Sequence, residues 1–311
     1  MKISVVIPVY NEQGNITPLV DQVYEALKPS KYDFETILIN DGSKDKTVEE
    51  IKQQKGKNVV LIDLRKNFGQ CPALKAGIDY ATGDIIATLD GDLQNDPADL
   101  IKMMEVMEET GCDVVTGIRA KRKDGMLLRK IPSKIANALV RKVSDTPIID
   151  NGCAIKVFKS EVAKDIPLYG EMHRFIAILA INEGARVEQI PVNHRARVAG
   201  ESKYGLSRTF KVVSDLILMR FTNKYAQKPM HFLGPIGAGS FTIGVILMFY
   251  LLIVKLMGQD IWGRPLIFAA IIFLFGGFQL IMSGITLDLL MRTNHESQEK
   301  KIYKVRKREA I

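Results

Sequence analysis

Two uninterrupted apolar runs, Phe232–Val254 and Leu266–Leu287, dominate the hydropathy of this chain. Each exceeds the roughly 20 residues an α-helix needs to cross the hydrocarbon core of a bilayer. Neither contains a charge, and His231, Lys255, Arg264 and Asp288 bracket them. Helices of a soluble core are seldom apolar on all sides over such a length, so the pattern predicts two transmembrane helices, over about 232–254 and 266–287. Upstream the pattern changes to short apolar runs rich in β-branched residues. Ile3–Pro8, Thr36–Ile39, Val59–Leu64, Ile85–Leu89 and Asp113–Thr116 read as strands. Helical stretches fill the gaps at Ile16–Leu27, Thr47–Gln54, Ala73–Tyr80 and Ala98–Glu109. This alternation predicts an α/β domain, a mostly parallel sheet with helices on both faces. Near-continuous apolar strands agree with burial on both sides, and in such sheets ligands bind at the carboxyl ends of the strands.

Beyond residue 118 the pattern turns basic and amphipathic. Arg119, Lys121, Arg122, Lys123, Arg129, Lys130, Lys134, Arg141 and Lys142 interleave with Ile131, Ile135, Leu139 and Val140. Two readings fit: a helix lying on a membrane surface, or a helix packed on the sheet with a solvated basic face. A second such stretch, Arg208–Tyr225, leads into the first apolar run. Asp150-Asn151-Gly152 reads by itself as a hairpin turn.

With the apolar runs set aside, one domain of about 230 residues remains of the 311, enough for a full core. The net charge of +8 is unevenly spread. After Met291 the chain holds Arg292, Lys300, Lys301, Lys304, Arg306, Lys307 and Arg308 against Glu296, Glu299 and Glu309, whereas the connection Lys255–Arg264 carries only two bases and one acid. Positive residues accumulate on the cytoplasmic side. The expectation is therefore a multi-pass protein of the cytoplasmic membrane, with both termini and the soluble domain cytosolic. The basic end, 291–311, reads as a solvated charge run or as a segment drawn to anionic lipid; bases clustered beside membrane segments do not point to nucleic acid. Cys71, Cys112 and Cys153 are odd in number and lack metal-type spacing, so free thiols in a reducing compartment are expected. No signal peptide is expected, because Ile3–Pro8 is too short and lacks a basic lead and cleavage site.

Polar groups fall at the strand ends: Tyr10-Asn11-Glu12, Asp41-Gly42-Ser43 and Asp90-Gly91-Asp92. Asp41-Gly42-Ser43 also fits a turn with a helix N-cap. For Asp90 and Asp92, residues i and i+2 of an extended segment point the same way, and two like charges there call for a hard divalent cation such as Mg²⁺ or Mn²⁺. Neither a Walker loop nor a dinucleotide fingerprint is present, so phosphates are expected to be held through a carboxylate-bound metal.

Taken together, Val6-Ile7-Pro8-Val9-Tyr10-Asn11-Glu12, Asp41-Gly42-Ser43 and Leu89-Asp90-Gly91-Asp92-Leu93-Gln94 resemble an inverting family 2 glycosyltransferase of the GT-A type. Asp92-Leu93-Gln94, Gly117-Ile118-Arg119 and Arg197-Val198-Ala199-Gly200-Glu201-Ser202-Lys203-Tyr204 are similar to the polyisoprenyl-phosphate glycosyltransferases. That group includes dolichol-phosphate mannose synthases and bacterial undecaprenyl-phosphate sugar transferases. The resemblance implies a GT-A (Rossmann-like) catalytic domain over 1–205, an amphipathic juxtamembrane helix over 206–230, the two-helix membrane hairpin within 231–290, and the basic cytosolic tail 291–311. It implies an enzyme, a metal-dependent hexosyl- or pentosyltransferase, and a homo-oligomer. Its acceptor would be a membrane polyisoprenyl phosphate, with undecaprenyl phosphate favoured.

By the same resemblance Pro8, Tyr10, Glu12, Asp41, Asp90 and Gly91 bind the nucleotide sugar, and Asp90, Asp92 and Gln94 surround the metal and diphosphate. Arg119, Arg129 and Ser133 hold the acceptor phosphate, while Arg197, Ser202 and Lys203 close over the phosphates. Asp150, Asp92 and Arg119 form the catalytic set. Asp150 matches an acidic residue often taken as a base, but a lipid phosphate needs little deprotonation, so an orienting role is expected. Asn95 precedes Asp96 where the family often has Asp directly after the Gln, which leaves Asp96 without a role. Asp150-Asn151-Gly152-Cys153 with His173-Arg174-Phe175 looks closest to bacterial members that use UDP-sugars, with GDP-sugars still open. The alternatives are a non-catalytic nucleotide-sugar-binding membrane subunit and a polysaccharide synthase. The latter carries a Gln-x-x-Arg-Trp segment, whereas the single tryptophan here is Trp262 in the inter-helix loop.

Overall fold

The computed structural model describes residues 1–119, 148–168, 172–195, 230–262, 264–297 and 303–311. They belong to two units, Met1–Asp215 with Lys301–Ile311, and Leu216–Lys300. The first begins β1 (Lys2–Val9), α1 (Ile16–Leu27), β2 (Asp33–Asn40), α2 (Thr47–Lys52), β3 (Val59–Leu64), α3 (Gln70–Tyr80), β4 (Ile85–Thr88), α4 (Asp99–Thr110) and β5 (Val114–Arg119). It continues with β6 (Lys156–Lys159), α5 (Ser160–Asp165), a short 3₁₀ turn Met172–Arg174, α6 (Ile176–Asn182), β7 (Val187–Val192) and β8 (Val305–Ala310). The strands form one sheet in the order β7-β5-β6-β4-β1-β2-β3-β8.

The centre is parallel, as expected, with β1 between β2 and β4, β3 beyond β2, and β7 parallel to β5. The sheet as a whole is mixed. β6 runs antiparallel between β4 and β5, and β8 runs antiparallel at the edge beside β3. Successive strand residues point to opposite faces, and each face has its own core. Ile3, Val5, Ile7 and Val9 pack with Ile16, Leu19, Val20 and Val23 of α1 and Leu100, Met103 and Met104 of α4. Val6, Ile37 and Ile39 pack on the other face with Leu74 and Ile78 of α3 and Phe158 of β6.

Two expectations are corrected. The basic end of the chain is not simply a solvated or lipid-facing tail, since Val305–Ala310 forms β8 and satisfies the open edge of β3 through main-chain pairing. Tyr303, 4% exposed, donates its hydroxyl to Asp79 at 2.8 Å, and Arg306 meets Asp63 at 3.4 Å. Nor does Asp150-Asn151-Gly152 form a primed hairpin turn, because neither Asn151 nor Gly152 has the positive φ that such a turn demands. The amphipathic stretches around 120–147 and 208–225 lie outside the described residues.

In the second unit, α7 (Met230–Leu256) and α8 (Pro265–Ser297) contain stretches long and apolar enough to cross a membrane: Phe232–Leu256 and Pro265–Leu287, with mean hydropathies of 2.2 and 2.3. Within each, an 18-residue apolar segment is only 17% or 11% buried, which sets them apart from soluble core helices. Small residues let the two backbones approach. A Cβ on Gly237 would lie 2.8 Å from the Gly277 carbonyl, and one on Gly244 would lie 2.6 Å from Leu274 N.

On α3, Gly77 faces β1 and β2 so closely that a Cβ would run into Val6 Cγ1 and stand 2.6 Å from Ile39 Cδ1. Both neighbours are fully buried β-branched residues with no free space to retreat into. Gly77→Ala is therefore expected to cost about 1–3 kcal/mol, read as a lowered midpoint in thermal unfolding of the detergent-solubilised protein.

Candidate active site

The carboxyl ends of β1, β2 and β4 point to one sheet edge, and the loops that leave them are tied together by polar contacts. After β1, Asn11 takes a left-handed conformation (φ 54°), and its main-chain N–H donates to Ser43 Oγ at 2.9 Å. Asn11 Oδ1 accepts from Lys44 N at 2.9 Å, and Glu12 N donates to Thr47 Oγ1 at 2.9 Å. Tyr10, Glu12 and Pro8 are half-buried on this rim, with Glu12 accepting from Asn15 Nδ2 at 2.6 Å.

Asp41 is only 3% exposed, and its two carboxylate oxygens accept the N–H groups of Phe68 (2.7 Å) and Gly69 (2.9 Å). Burial pushes its carboxyl up, against these two donors. Asp41 thus fixes the loop that opens α3, a structural role beyond the nucleotide contact expected of it. From the first residue of that helix, Gln70 Nε2 donates to Asp90 at 2.9 Å.

β4 ends at Thr88, and the chain turns through Gly91 and Asp92 instead of staying extended, with Leu93 in the left-handed region (φ 61°). Asp90 and Asp92 are both half-buried there. Gly91 is packed between Val9 and Pro8, and a Cβ on it would lie 2.9 Å from Val9 Cγ1. The extended geometry assumed for the pair is therefore replaced by a turn, which still leaves both carboxylates on this edge.

The following residues carry the other half of the site. Asp96, without a role in the sequence, pairs with Arg195 at 2.7 Å, and Arg195 N donates to the Gln94 carbonyl at 2.8 Å. Gln94 Nε2 reaches the Arg195 carbonyl at 3.4 Å, and buried Asp99 accepts from Asn193 N at 2.7 Å. The segment entering Arg197–Lys203 is thereby fastened to the Asp92 loop. Arg197, Ser202 and Lys203, like Arg129 and Ser133, lie outside the described residues.

Arg119, the last residue of β5, grips Asp150. Its Nε and Nη2 donate to the two carboxylate oxygens at 2.8 and 2.7 Å, and its main-chain N–H adds a contact at 3.2 Å. This two-pronged geometry matches a planar guanidinium to a carboxylate. Between β4 and β5 lies Lys156, 3% exposed, in register with Thr88 on one side and Thr116 on the other. Its ammonium donates to the Cys153 carbonyl, and Asp90 and Asp150 are close enough to act on its charge. Burial pulls the lysine below its ordinary range while those carboxylates resist. Sequence reasoning passed over Lys156. Its signal is a lone charge within the apolar run Ala154–Phe158, where a lysine stays buried only if something compensates it.

A divalent cation suits these residues on chemical grounds. Hard oxygen ligands of this kind hold Mg²⁺ or Mn²⁺ through one or two carboxylates, with substrate phosphates completing the shell. Asp90 and Asp92 supply the carboxylates, and among the described residues no group of three or more His, Cys, Asp or Glu side chains forms a self-sufficient metal cage.

The sheet, its helices and this acidic loop define a nucleotide-sugar type of α/β fold, and comparison with known proteins places it. The glycosyl transferase family 2 profile matches residues 4–166, and the chain belongs to that family. It is 38% identical to the dodecaprenyl-phosphate galacturonate synthase of Rhizobium johnstonii, over 98% of this chain and 92% of that protein. It is 32% identical to an undecaprenyl-phosphate 4-deoxy-4-formamido-L-arabinose transferase of Photorhabdus laumondii, over 98% of this chain and 94% of that one. Among solved structures, glucosyl-3-phosphoglycerate synthase of M. tuberculosis shares the fold, with a TM-score of 0.54 at 17% identity over 71% of this chain and 80% of that one. Another structure of that enzyme contains Mn²⁺, UDP and glucosyl-3-phosphoglycerate.

Gly152 keeps the Arg119–Asp150 grip possible, since a Cβ there would stand 2.7 Å from Arg119 Nη2. Gly152→Ala is expected to displace the guanidinium and lower the catalytic rate about 10-fold or more, with the thermal midpoint nearly unchanged. Steady-state kinetics beside a melting curve would check it.

Proposed function

We propose that the protein transfers a sugar, with inversion, from a UDP-sugar to a polyisoprenyl phosphate, undecaprenyl phosphate being the favoured acceptor, at the cytosolic face of the cytoplasmic membrane. The observation that carries this reading is that β4, which leads into the Asp90–Asp92 loop, and β5, which ends in the Arg119 that grips Asp150, flank Lys156 of β6 in register and deliver both to one sheet edge. Kinship supports the acceptor, because the two relatives above are named for dodecaprenyl and undecaprenyl phosphate.

In the reaction an oxygen of the lipid phosphate bonds to the anomeric carbon, while the bond from that carbon to the nucleotide's terminal phosphate breaks and UDP leaves with the electron pair. A phosphomonoester has a second pKa near about 6 and is mostly dianionic at neutral pH, so the attack needs little help from a base. What it needs is relief of repulsion between two anions. In this reading that task falls to Arg119, and Asp150 sets its direction by holding both prongs of the fork. Arg129, Arg197 and Lys203 are assigned to the same task by kinship. A bound Mg²⁺ or Mn²⁺, held by Asp90 and Asp92 with Gln94 alongside, would neutralise charge developing on the departing diphosphate.

The membrane part of the reading has its own support. The chain leaves the first unit ahead of α7 and rejoins the same sheet as β8. A hairpin of α7 and α8 fits that return, because two crossings bring the chain back to the side of the bilayer it left. The homo-oligomer in this reading rests on kinship, since Gly237, Gly244 and Gly277 are occupied by the α7–α8 contact.

Membranes containing the wild type, supplied with a panel of labelled UDP- and GDP-sugars, undecaprenyl phosphate and Mg²⁺ or Mn²⁺, are expected to form a labelled lipid. Asp92→Asn or chelation of the metal should reduce it about 100-fold or more. Binding of a nucleotide sugar with no transfer from any donor would favour a non-catalytic subunit instead. Asp150→Asn is expected to lower kcat/KM about 10- to 100-fold without shifting the pH profile. An orienting role would be lost if turnover vanished at unchanged substrate affinities and the wild-type rate followed a carboxylate pKa.

A further inference from the structure

Next to Asp150 in the chain, Asn151 is 4% exposed, yet neither its amide nitrogen nor its amide oxygen has a hydrogen-bond partner. Buried amides are seldom left in that state, because each unmet donor or acceptor has given up water for nothing. Two of the other atoms in this condition are Thr116 Oγ1, whose residue is in register with Lys156, and His173 Nδ1, whose residue is near enough to feel the charge of Lys156. Burial holds His173 down to about 3, so its imidazole is uncharged at working pH. Unmet neutral donors and acceptors thus collect around the Asp150 end of the site.

The charges there are already engaged. Arg119 is gripped by Asp150, and Lys156 lies in the fields of Asp90 and Asp150. Among the described residues nearby, the unmet groups are neutral. An amide with both ends open is satisfied by a ligand group that both donates and accepts. A carboxylate only accepts, so it would leave Asn151 Oδ1 unmet and set one anion beside Asp150.

We infer that Asn151 reads the transferred sugar, its amide taking a substituent that both donates and accepts a hydrogen bond, a hydroxyl or an acylamino group, and rejecting a carboxylate at that position. This rests on the glycosyl-transfer reading above and narrows its substrate class. Asn151 is a specificity residue for the donor; binding of UDP itself and of the lipid phosphate falls to other groups.

The test uses the full-length protein in detergent, with wild type, Asn151→Leu (similar size, no polar atoms) and Asn151→Asp (same shape, no donor). Calorimetry measures binding of UDP, GDP and a panel of their sugars, including uronates and singly deoxygenated or deacylated analogues, and transfer kinetics follow on the same panel. The wild type should bind one nucleotide sugar more tightly than its nucleotide alone. Both variants should keep nucleotide affinity and the KM for undecaprenyl phosphate, yet lose about 100-fold in kcat/KM for that donor. For the analogue lacking the contacted group, wild type and Asn151→Leu should perform alike. Equal losses on every donor, a changed lipid KM, or no sugar-dependent gain in wild-type binding would overturn the inference. Transfer with unchanged donor selectivity in both variants would overturn it while leaving glycosyl transfer standing. Sugar-dependent binding that needs Asn151, without transfer to any lipid phosphate, would instead remove the transfer reading and keep the reading residue.

Discussion

Carboxylates crowd the carboxyl edge of this sheet, and like charges brought so close need a specific donor for each. Asp41 receives two main-chain N–H groups, Asp90 the amide of Gln70, Asp96 the guanidinium of Arg195, Asp99 the main chain of Asn193, and Asp150 both prongs of Arg119. Each of these partners comes from a different loop or strand than the carboxylate it serves, beside local donors such as Ala98 N for Asp96 and Gly152 N for Asp150. Compensating the charge therefore also fixes the relative position of the loops, and the edge is held ready before any substrate arrives. That is the economical order for a displacement between two anions, since groups aimed beforehand need no rearrangement in the transition state.

The parallel centre of the fold could be read from the sequence because its strands are buried on both faces, so that Ile3–Pro8, Thr36–Ile39 and Val59–Leu64 appear as unbroken apolar runs. β6 escaped notice because Lys156 interrupts its apolar pattern and its neighbours in the sheet lie far away along the chain. β8 escaped for the opposite reason: Arg306, Lys307, Arg308 and Glu309 carry the polar signature of an edge strand, which composition alone cannot separate from a solvated tail. Within the site, Asp41, Asp90 and Asp92 stood out because charged residues at strand ends are conspicuous, whereas Arg119 and Asp150 gained their roles only through the family resemblance. Asp96 did not stand out, since its partner Arg195 is ninety-nine residues away and pairing at that distance leaves no local trace.

β8 does more than close an edge. Arg306 meets Asp63, Asp63 accepts from Asn40 Nδ2 at 2.7 Å, and Asn40 Oδ1 accepts from Ser43 N at 3.0 Å. A chain of polar contacts thus runs from the last strand, reached only after both apolar helices, to the loop expected to hold the nucleotide. Each link is a single contact, and Arg306 is largely exposed, so its energetic weight is modest. Its value is in register: it fixes which residues of β8 oppose β3, in an edge strand that would otherwise slip easily.

A polyisoprenyl acceptor imposes a constraint that a soluble acceptor does not. Withdrawing its chain into water costs about 0.8 kcal/mol for every CH₂ exposed, far beyond what phosphate contacts return. In the proposed reading the enzyme must come to the headgroup, and a chain that carries two apolar helices between β7 and β8 is anchored where that is possible. Once both anions are fixed in place, little remains for a general base to do. A nucleophile that is already a dianion gains more from a guanidinium held at a set angle than from a proton acceptor. The bidentate grip of Asp150 on Arg119 is the geometry such a task requires.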